Sequence, residues 1–194
     1  MDRDGPGHRE RLTQDTTISA VTIGILGAGA MARAIAKHLA AAGSTVILSN
    51  RRGPESLADV ATALGPAVRG GTVDEAAGQP IVILAIPWSQ RPSTLARLQP
   101  WNDRSVIDTT NPIEPPHYEV ADLDGLTSSE VVRDLVPGAR LVKAFNTLTP
   151  AAIERDPREG GGNRVIFYSG ARPPSGRGPG EPSPPPQPAP RADA

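Results

Sequence analysis

TIGILGAGAMARAIAKHLAAAGSTVILSNRR, residues 22–52, contains two short apolar segments with an alanine-rich segment between them. The first apolar segment runs into the sequence GAGAMA, residues 27–32, and the second ends in NRR, residues 50–52. The alanine-rich segment places Met31, Ile35 and Leu39 at helical spacing. Strand, glycine turn, helix and strand in this order are the parts that a dinucleotide-binding unit requires.

The glycine segment has a small residue at each place where such a unit needs one. Gly27 permits a sharp turn after the strand, and Gly29 permits a close approach of the backbone to a pyrophosphate. Ala32 occupies the third small position, where helix and strand pack closely. The amides of Ala30 and Met31 then face the phosphates at the positive end of the helix dipole. As a bare string the motif is typical of a tight turn, and its place between a strand and a helix favours dinucleotide binding.

The residues after the second strand indicate which dinucleotide is bound. An NAD site has Asp or Glu near this point to bind the ribose hydroxyls, whereas this chain has Asn50, Arg51 and Arg52. A carboxylate would repel a 2′-phosphate, while arginine can bind it with paired hydrogen bonds. We therefore predict NADP(H) over NAD(H). The alternative is that both arginines belong to a solvated loop.

The composition excludes several classes of protein. The chain has 194 residues, a net charge of -1 and no cysteine, which excludes disulfides and thiolate metal sites. The net charge gives no reason to expect nucleic acid or a membrane as partner. No apolar run approaches the ~20 residues of a membrane helix, and residues 1–15 lack the apolar segment of a secretory signal. We expect a cytoplasmic protein with no metal site.

Three zones differ in composition. Residues 1–19 are polar without periodicity, and we expect a disordered lead, which a start codon placed too far upstream would also produce. Residues 20–170 alternate short apolar runs with helix-like segments and should form one NADP-binding Rossmann-type domain. Residues 171–194 are rich in proline, and we expect a disordered tail with polyproline II character.

The central zone predicts an α/β fold with a doubly wound parallel sheet. The candidate strands are continuous Val/Ile/Leu runs, typical of strands buried on both faces. They are Thr22–Leu26, Thr45–Ser49, Ala67–Arg69 (weak), Ile81–Ile86, Ser105–Asp108, Leu141–Ala144 and Val165–Tyr168. The candidate helices are Ala30–Ala42, Glu55–Leu64, Asp74–Ala76, Arg91–Leu98, Ser128–Leu135 and Pro150–Arg155.

Two loops qualify for the nicotinamide end of the site, because dinucleotide folds place this ring at the carboxyl ends of the later strands. One loop contains Ala85, Ile86 and Pro87, and the other contains Asn111 before Pro112. Small residues and a proline-fixed backbone suit contact with a flat ring, and Asn111 could bind the carboxamide or ribose. The alternative is that both prolines merely end their strands and that Asn111 caps a turn.

The sequence shows no acid–base machinery, so we assign no catalytic residue. His8, His38 and His117 lie in the lead, in a helix and in a loop, and each is better explained as structural. Lys143 lies near the end of a predicted buried strand. Oxidation of an alcohol requires a general base. Hydride transfer between two ring cofactors depends instead on alignment and exclusion of water.

Four segments together resemble the NADPH-dependent reductases of coenzyme F420, a 5-deazaflavin. They are residues 24–57, 81–88, 106–113 and 128–148, the most specific parts being GARLVKAFNTL and SNRRGPESL. The resemblance covers residues 21–170 and implies direct hydride transfer between NADPH and F420 as co-substrate. It also implies a small-molecule redox substrate and a homodimer as partners.

The resemblance assigns residues to each part of the two ligands. The pyrophosphate contacts fall on Gly27, Gly29, Ala30 and Met31, the 2′-phosphate contacts on Asn50, Arg51 and Arg52, the nicotinamide contacts on Ala85, Ile86, Pro87 and Asn111, and those of the second ring on Phe145, Asn146 and Thr147. Pyrroline-carboxylate reductases and the cytosolic domains of membrane metalloreductases share this kind of domain.

The chain departs from the family pattern after Gly170, where family members continue with further helix and strand. We hypothesise that the proline-rich tail is a frameshift product and that the native continuation is lost. Two alternatives to F420 reduction stay open. One is another small NADPH-dependent reductase acting on a flavin or an imine, and the other is a truncated, catalytically inactive NADP-binding protein.

Overall fold

The structure is a computed structural model that describes residues 21–98, 100–114 and 116–170. The predicted disordered lead and proline-rich tail, together with His8, lie outside the described residues.

Seven strands form one sheet, and two short strands form a separate hairpin. The strands are β1 (Thr22–Leu26), β2 (Thr45–Ser49), β3 (Val68–Gly71), β4 (Ile81–Leu84), β5 (Ser105–Asp108), β6 (Ile113–Glu114), β7 (Glu119–Val120), β8 (Arg140–Ala144) and β9 (Tyr168–Gly170). The order in the sheet is β3-β2-β1-β4-β5-β8-β9, and β6 pairs with β7. All pairings from β3 to β8 are parallel, and β9 runs antiparallel to β8. The order reverses between β1 and β4, where doubly wound sheets place their ligands.

Helices cover both faces of the sheet. They are α1 (Ala30–Ala41), α2 (Ala58–Leu64), α3 (Val73–Ala77), α4 (Arg91–Leu95), α5 (Ser128–Leu135) and α6 (Pro150–Glu154). Alternate residues of each strand join different cores, because successive side chains point to opposite faces. Ile25 packs in the core with α1 and α6, whereas Leu26 packs in the core with α3, α4 and α5. The predicted doubly wound α/β fold is confirmed.

Gly24 in β1 is needed for the approach of α3 to the sheet. A Cβ atom on Gly24 would lie 1.8 Å from the carbonyl oxygen of Ala76. Ala76 is itself fully buried. The glycine therefore lets a helix backbone rest directly on the strand.

The last strand differs from its prediction. The sequence predicted a strand over Val165–Tyr168, whereas β9 starts at Tyr168 and has three exposed residues. Val165 and Phe167 are 62% and 69% exposed, so this apolar run is not covered by a helix of the described residues. The alternation rule assumed burial on both faces, which this edge of the sheet does not provide.

Other differences concern boundaries and one missed element. The predicted helix Glu55–Leu64 begins with a tighter turn over Pro54–Leu57, and the helix starting at Arg91 ends at Leu95. The β6–β7 hairpin was not predicted, because its strands are two residues long and lie in the exposed part of the surface. Among the described residues, no helix combines the length and apolar character of a bilayer span.

Candidate functional site

A cleft of about 740 Å³ opens at the carboxyl ends of β1 and β4. It lies where the strand order reverses, and the loops after β1, β2, β4 and β5 form its walls. All eleven predicted binding residues line this single cleft: Gly27, Gly29, Ala30, Met31, Asn50, Arg51, Arg52, Ala85, Ile86, Pro87 and Asn111. The fold thus brings together residues that are 84 positions apart, from Gly27 to Asn111 (111 − 27).

Gly27 packs closely between the ends of β2 and β4. Its φ is +122°, and a Cβ atom there would lie 2.2 Å from the carbonyl oxygen of Ala85. The Gly27 amide donates to the carbonyl of Ser49 at 2.9 Å. Any other residue would therefore clash at the floor of the cleft.

The start of α1 is open toward the cleft. Gly29 precedes the helix in an extended conformation, provides no side-chain cap, and has free space where a Cβ would stand. The amides of Ala30 and Met31 therefore have no capping side chain, and the helix dipole adds positive potential at this point. This arrangement can bind a phosphate through backbone amides.

In the loop after β2, one residue maintains the shape of the turn and two others provide positive charge. The Asn50 Oδ1 atom accepts the Arg52 amide at 2.8 Å, and the Asn50 Nδ2 atom donates to Ser56 Oγ at 2.9 Å. Arg51 and Arg52 are exposed, and within the described residues their guanidiniums form no hydrogen bond or ion pair. Asn50 thus holds the turn, while two free cations face the cleft.

The loops after β4 and β5 form the opposite wall. Pro87 leads into a turn at Trp88–Gln90, and Thr109 ties the β5 loop to β4 by donating from Oγ1 to the Leu84 carbonyl at 2.9 Å. The Asn111 amide donates from Nδ2 to the Asn146 carbonyl at 2.9 Å. The side chain of Asn111 is therefore fixed from a third loop, the one after β8.

A buried charge cluster under this wall was not predicted from the sequence. Asp108 is completely buried, and its carboxylate lies 2.8 Å from Lys143 Nζ and 3.6 Å from Arg91 Nη2. The Arg91 guanidinium lies 4.1 Å from the centre of the Trp88 ring. Burial lowers the pKa of Arg91 to about 10, and the charge of Asp108 opposes this shift. The sequence predicted that Lys143 lies in a buried strand, but it gave no sign that Asp108, 35 positions earlier, is its partner.

Phe145, which the resemblance assigns to the pocket of the second ring, does not line this cleft. Its φ is +65°, and its side chain lines a separate apolar cavity of about 200 Å³ with Ile35, Leu39 and Ile153. The glycine-like backbone turns Phe145 toward α1 and α6. His38 borders the same cavity, and its Nε2 lies 2.6 Å from the Ile153 carbonyl oxygen, consistent with a structural role.

No metal site accompanies the cleft in the part of the chain that the structure describes, since no group of three His, Cys, Asp or Glu side chains comes together there. Among the described residues, the side chains that line the cleft include no aspartate, glutamate, histidine or lysine. The site can thus bind and orient ligands, but the described lining offers no general base.

Comparison with known proteins gives matches over the same region. A family model described as "NADP oxidoreductase coenzyme F420-dependent" matches residues 22–112. The solved structure of a hypothetical protein from Sinorhizobium meliloti is 39% identical, with a TM-score of 0.74. The match covers 79% of this chain and 75% of that protein.

Two further relatives are more distant. A protein from Arthrobacter sp. FB24, named as a proposed F420-dependent NADP-reductase, is 23% identical with a TM-score of 0.60. The match covers 79% of this chain and 74% of that protein, and it shows that the two share a fold. Rat metalloreductase STEAP3 is 28% identical over 152 residues, or 78% of this chain. The chain spans only 29% of the length of that curated relative. The family model and the 39% identical structure show that the chain belongs to the family of NADP oxidoreductases described as coenzyme F420-dependent.

Proposed function

We propose that the chain binds NADP(H) in the cleft and transfers hydride between NADPH and the deazaflavin coenzyme F420. The observation that carries the proposal is the composition of the cleft. It has two free arginines at one end, an uncharged wall at the other, and no acid, lysine or histidine among its described lining residues.

The arginine end supplies the preference for the 2′-phosphate. Arg51 and Arg52 are exposed cations on a loop whose shape Asn50 maintains. Guanidiniums bind phosphate with paired, charge-assisted hydrogen bonds, and no carboxylate in the lining repels it. NADH lacks this phosphate and would leave both arginines without their partner.

The middle and far end would hold the rest of the dinucleotide. The amides of Ala30 and Met31 would bind the pyrophosphate at the start of α1. Ala85, Ile86 and Pro87 would lie against the nicotinamide, and Asn111 would bind its ribose or carboxamide. These assignments rest on the shared cleft and the family resemblance.

The lack of a general base in the lining fits a direct hydride transfer. The reduced nicotinamide would give up a hydride, which carries two electrons and one proton. The acceptor ring would receive this hydride. The protein's contribution would be to align the rings and exclude water, which accounts for large rate effects in such reactions. Oxidation of an alcohol would require a base that the described lining does not offer.

A second candidate is an NADPH-dependent reductase with another acceptor, such as a flavin or an imine. The likeness to a rat protein named as a metalloreductase favours this candidate, because that protein's name gives a different acceptor. Both candidates use the same NADP(H) half of the cleft and differ only in the acceptor.

The test is a reduction assay under anaerobic conditions with three acceptors offered separately: oxidised F420, FMN and a cyclic imine. We expect NADPH consumption to match loss of the deazaflavin absorbance one to one, with little turnover of the other acceptors. Faster reduction of FMN or the imine would support the second candidate. Binding of NADPH without turnover of any acceptor would contradict both and favour a nucleotide-binding protein.

A further inference from the structure

We propose that Lys143 is a positioning residue for the nicotinamide half of the cleft. Its ammonium joins the Asp108 carboxylate to the Thr110 carbonyl and so fixes the loop that presents Asn111. The inference rests on the proposed function, because it concerns how the NADP(H) site is held in shape.

The Lys143 ammonium has three described partners, as many as it has protons to donate. It donates to Asp108 Oδ2 at 2.8 Å, to Ser128 Oγ at 3.1 Å, and to the carbonyl oxygen of Thr110. Asp108 ends β5, Thr110 lines the cleft, and Ser128 is the first residue of α5. One half-buried cation therefore joins a strand end, a cleft wall and the start of a helix.

The Asp108 carboxylate reinforces the same loop from the other side. Its Oδ1 atom accepts the Thr110 hydroxyl at 2.6 Å and the Thr110 amide at 3.2 Å. Because Asp108 is completely buried, its charge needs close partners. Arg91 is 3.6 Å away, so Lys143 provides the closer charge compensation.

The loop from Thr109 to Asn111 is consequently fixed at every residue. Thr109 is tied to β4, Thr110 to Lys143 and Asp108, and Asn111 to Asn146. Lys143 is absent from the cleft lining and touches the site only through Thr110. It therefore acts through another residue and takes no part in the chemistry itself.

Removal of the ammonium should disturb one half of the cleft only. The glycine turn and the arginine loop are held by contacts of their own, Gly27 with Ser49 and Asn50 with Ser56. Neither contact involves the β5 loop. A variant of Lys143 should therefore weaken binding of the nicotinamide half and spare the 2′-phosphate half.

The experiment compares Lys143→Met, Lys143→Gln and Lys143→Arg with Lys37→Met in the full chain. Lys37 is the other lysine, exposed on α1, and forms a surface ion pair with Glu154 at 3.7 Å. Dissociation constants are measured for NADPH and for adenosine 2′,5′-bisphosphate, which lacks the nicotinamide half. The emission of the bound reduced nicotinamide reports the surroundings of the ring.

For Lys143→Met we expect about a tenfold rise in the Kd for NADPH and an unchanged Kd for adenosine 2′,5′-bisphosphate. The nicotinamide emission should move toward that of free NADPH. Lys143→Arg should restore most of the affinity, and Lys37→Met should change neither constant. Lys143→Gln, whose amide can still donate to Asp108, should give an intermediate ratio of the Kd for NADPH to the Kd for adenosine 2′,5′-bisphosphate. This variant replaces Lys143→Met in the test if Lys143→Met does not fold.

Two results would overturn the inference. One is an equal loss for both probes, which would show that Lys143 supports the whole domain and not one half of the site. The other is an unchanged Kd for NADPH in both Lys143→Met and Lys143→Gln. If the unmodified protein bound neither probe, the proposed function itself would fail, which separates the two ideas.

Discussion

The two halves of the cleft are built in different ways. The half formed after β1 and β2 depends on short segments, a glycine turn at 27–32 and an arginine loop at 50–52, each shaped by neighbours close in sequence or on the adjoining strand. The half formed after β4 and β5 depends on contacts that join residues 25 to 35 positions apart, such as Thr109 with Leu84 and Asn111 with Asn146.

This difference indicates that the first half recognises the phosphates of the ligand and the second half aligns its reacting ring. The first half offers free charge and free amides, which suit the binding of phosphates. The second half offers a rigid wall supported by the cluster of buried Arg91 and Asp108 with partly buried Lys143. Alignment of a ring for hydride transfer requires such rigidity, since small displacements cost much of the rate.

The largest expected effect lies at the junction of the two halves. Gly27→Ala would place a Cβ atom 2.2 Å from the Ala85 carbonyl oxygen at a φ of +122°. We expect a loss of about 3 kcal/mol or more in the free energy of unfolding, combining strain and overpacking. Gly43→Ala is the control, because its φ is +86° in open space, and should cost about 1–2 kcal/mol. Equal thermal stability of the two variants would show that the Gly27 contact is not required.

The next effect concerns the arginine loop alone. Arg51→Ala combined with Arg52→Ala should raise the Kd for NADPH about a hundredfold or more, because each guanidinium provides charge-assisted hydrogen bonds of about 1.5–3 kcal/mol. The Kd for NADH should not change. Arg69→Ala is the control, since Arg69 is exposed, pairs with Glu75 and does not line the cleft. A parallel loss of NADH affinity would mean that the loop supports the fold and not the phosphate.

A smaller effect is expected in the second half. Asn111→Ala removes the hydrogen bond to the Asn146 carbonyl and the proposed contact with the dinucleotide, so the rate of hydride transfer should fall about tenfold. Affinity for adenosine 2′,5′-bisphosphate should stay the same. Asn163→Ala, an exposed asparagine outside the cleft, is the control. An unchanged single-turnover rate would remove Asn111 from the site.

The smallest effect concerns the two capped helices. Thr72 and Thr127 cap α3 and α5 in the same way, each accepting the amide of a glutamate three residues later. Thr→Ala at either position should lower the free energy of unfolding by about 1 kcal/mol. Thr127→Ala should also weaken NADPH binding, since α5 begins at Ser128, a partner of Lys143. Calorimetry with and without NADPH measures both effects, and an NADPH affinity equal to that of the unmodified chain would contradict the link through α5.

The capping glutamates add a pH dependence of known sign. The hydrogen bond from the Thr127 backbone lowers the pKa of Glu130 below its ordinary value of 4.5, and the Thr72 backbone does the same for Glu75. Their stabilising effect is therefore present above pH 4.5 and is lost as the pH falls through the folded-state pKa. Glu130→Gln should be less stable than the unmodified chain at neutral pH. Below the folded-state pKa the difference should shrink, and a constant difference would contradict this cause.

The sequence was sufficient for the features that depend on local pattern. Apolar runs and the glycine motif predicted the sheet and the cleft wall from Gly27 to Arg52. The rule that ligands lie at the carboxyl ends of the later strands predicted the loops after β4 and β5. The pairing of Asp108 with Lys143 could not be predicted, because parallel strands join residues without a sequence signal for register. The direction of the Phe145 side chain could not be predicted either, because the residue type gives no sign of a φ of +65°.

Some expectations stay predictions. The homodimer, the cytoplasmic location, and the assignment of individual residues to parts of the ligands were not tested by the fold.

The run Val165–Tyr168 shows why the end of the sheet was harder to predict than its centre. A strand read as buried is exposed when no described element covers it.

The most direct test of the account is a titration of the unmodified protein with NADPH and NADH under the same conditions. The free guanidiniums of Arg51 and Arg52 predict that NADPH binds about a hundredfold more tightly, and that raising the salt concentration narrows the gap. Equal affinity for the two dinucleotides would contradict the assignment of the cleft as an NADP(H) site.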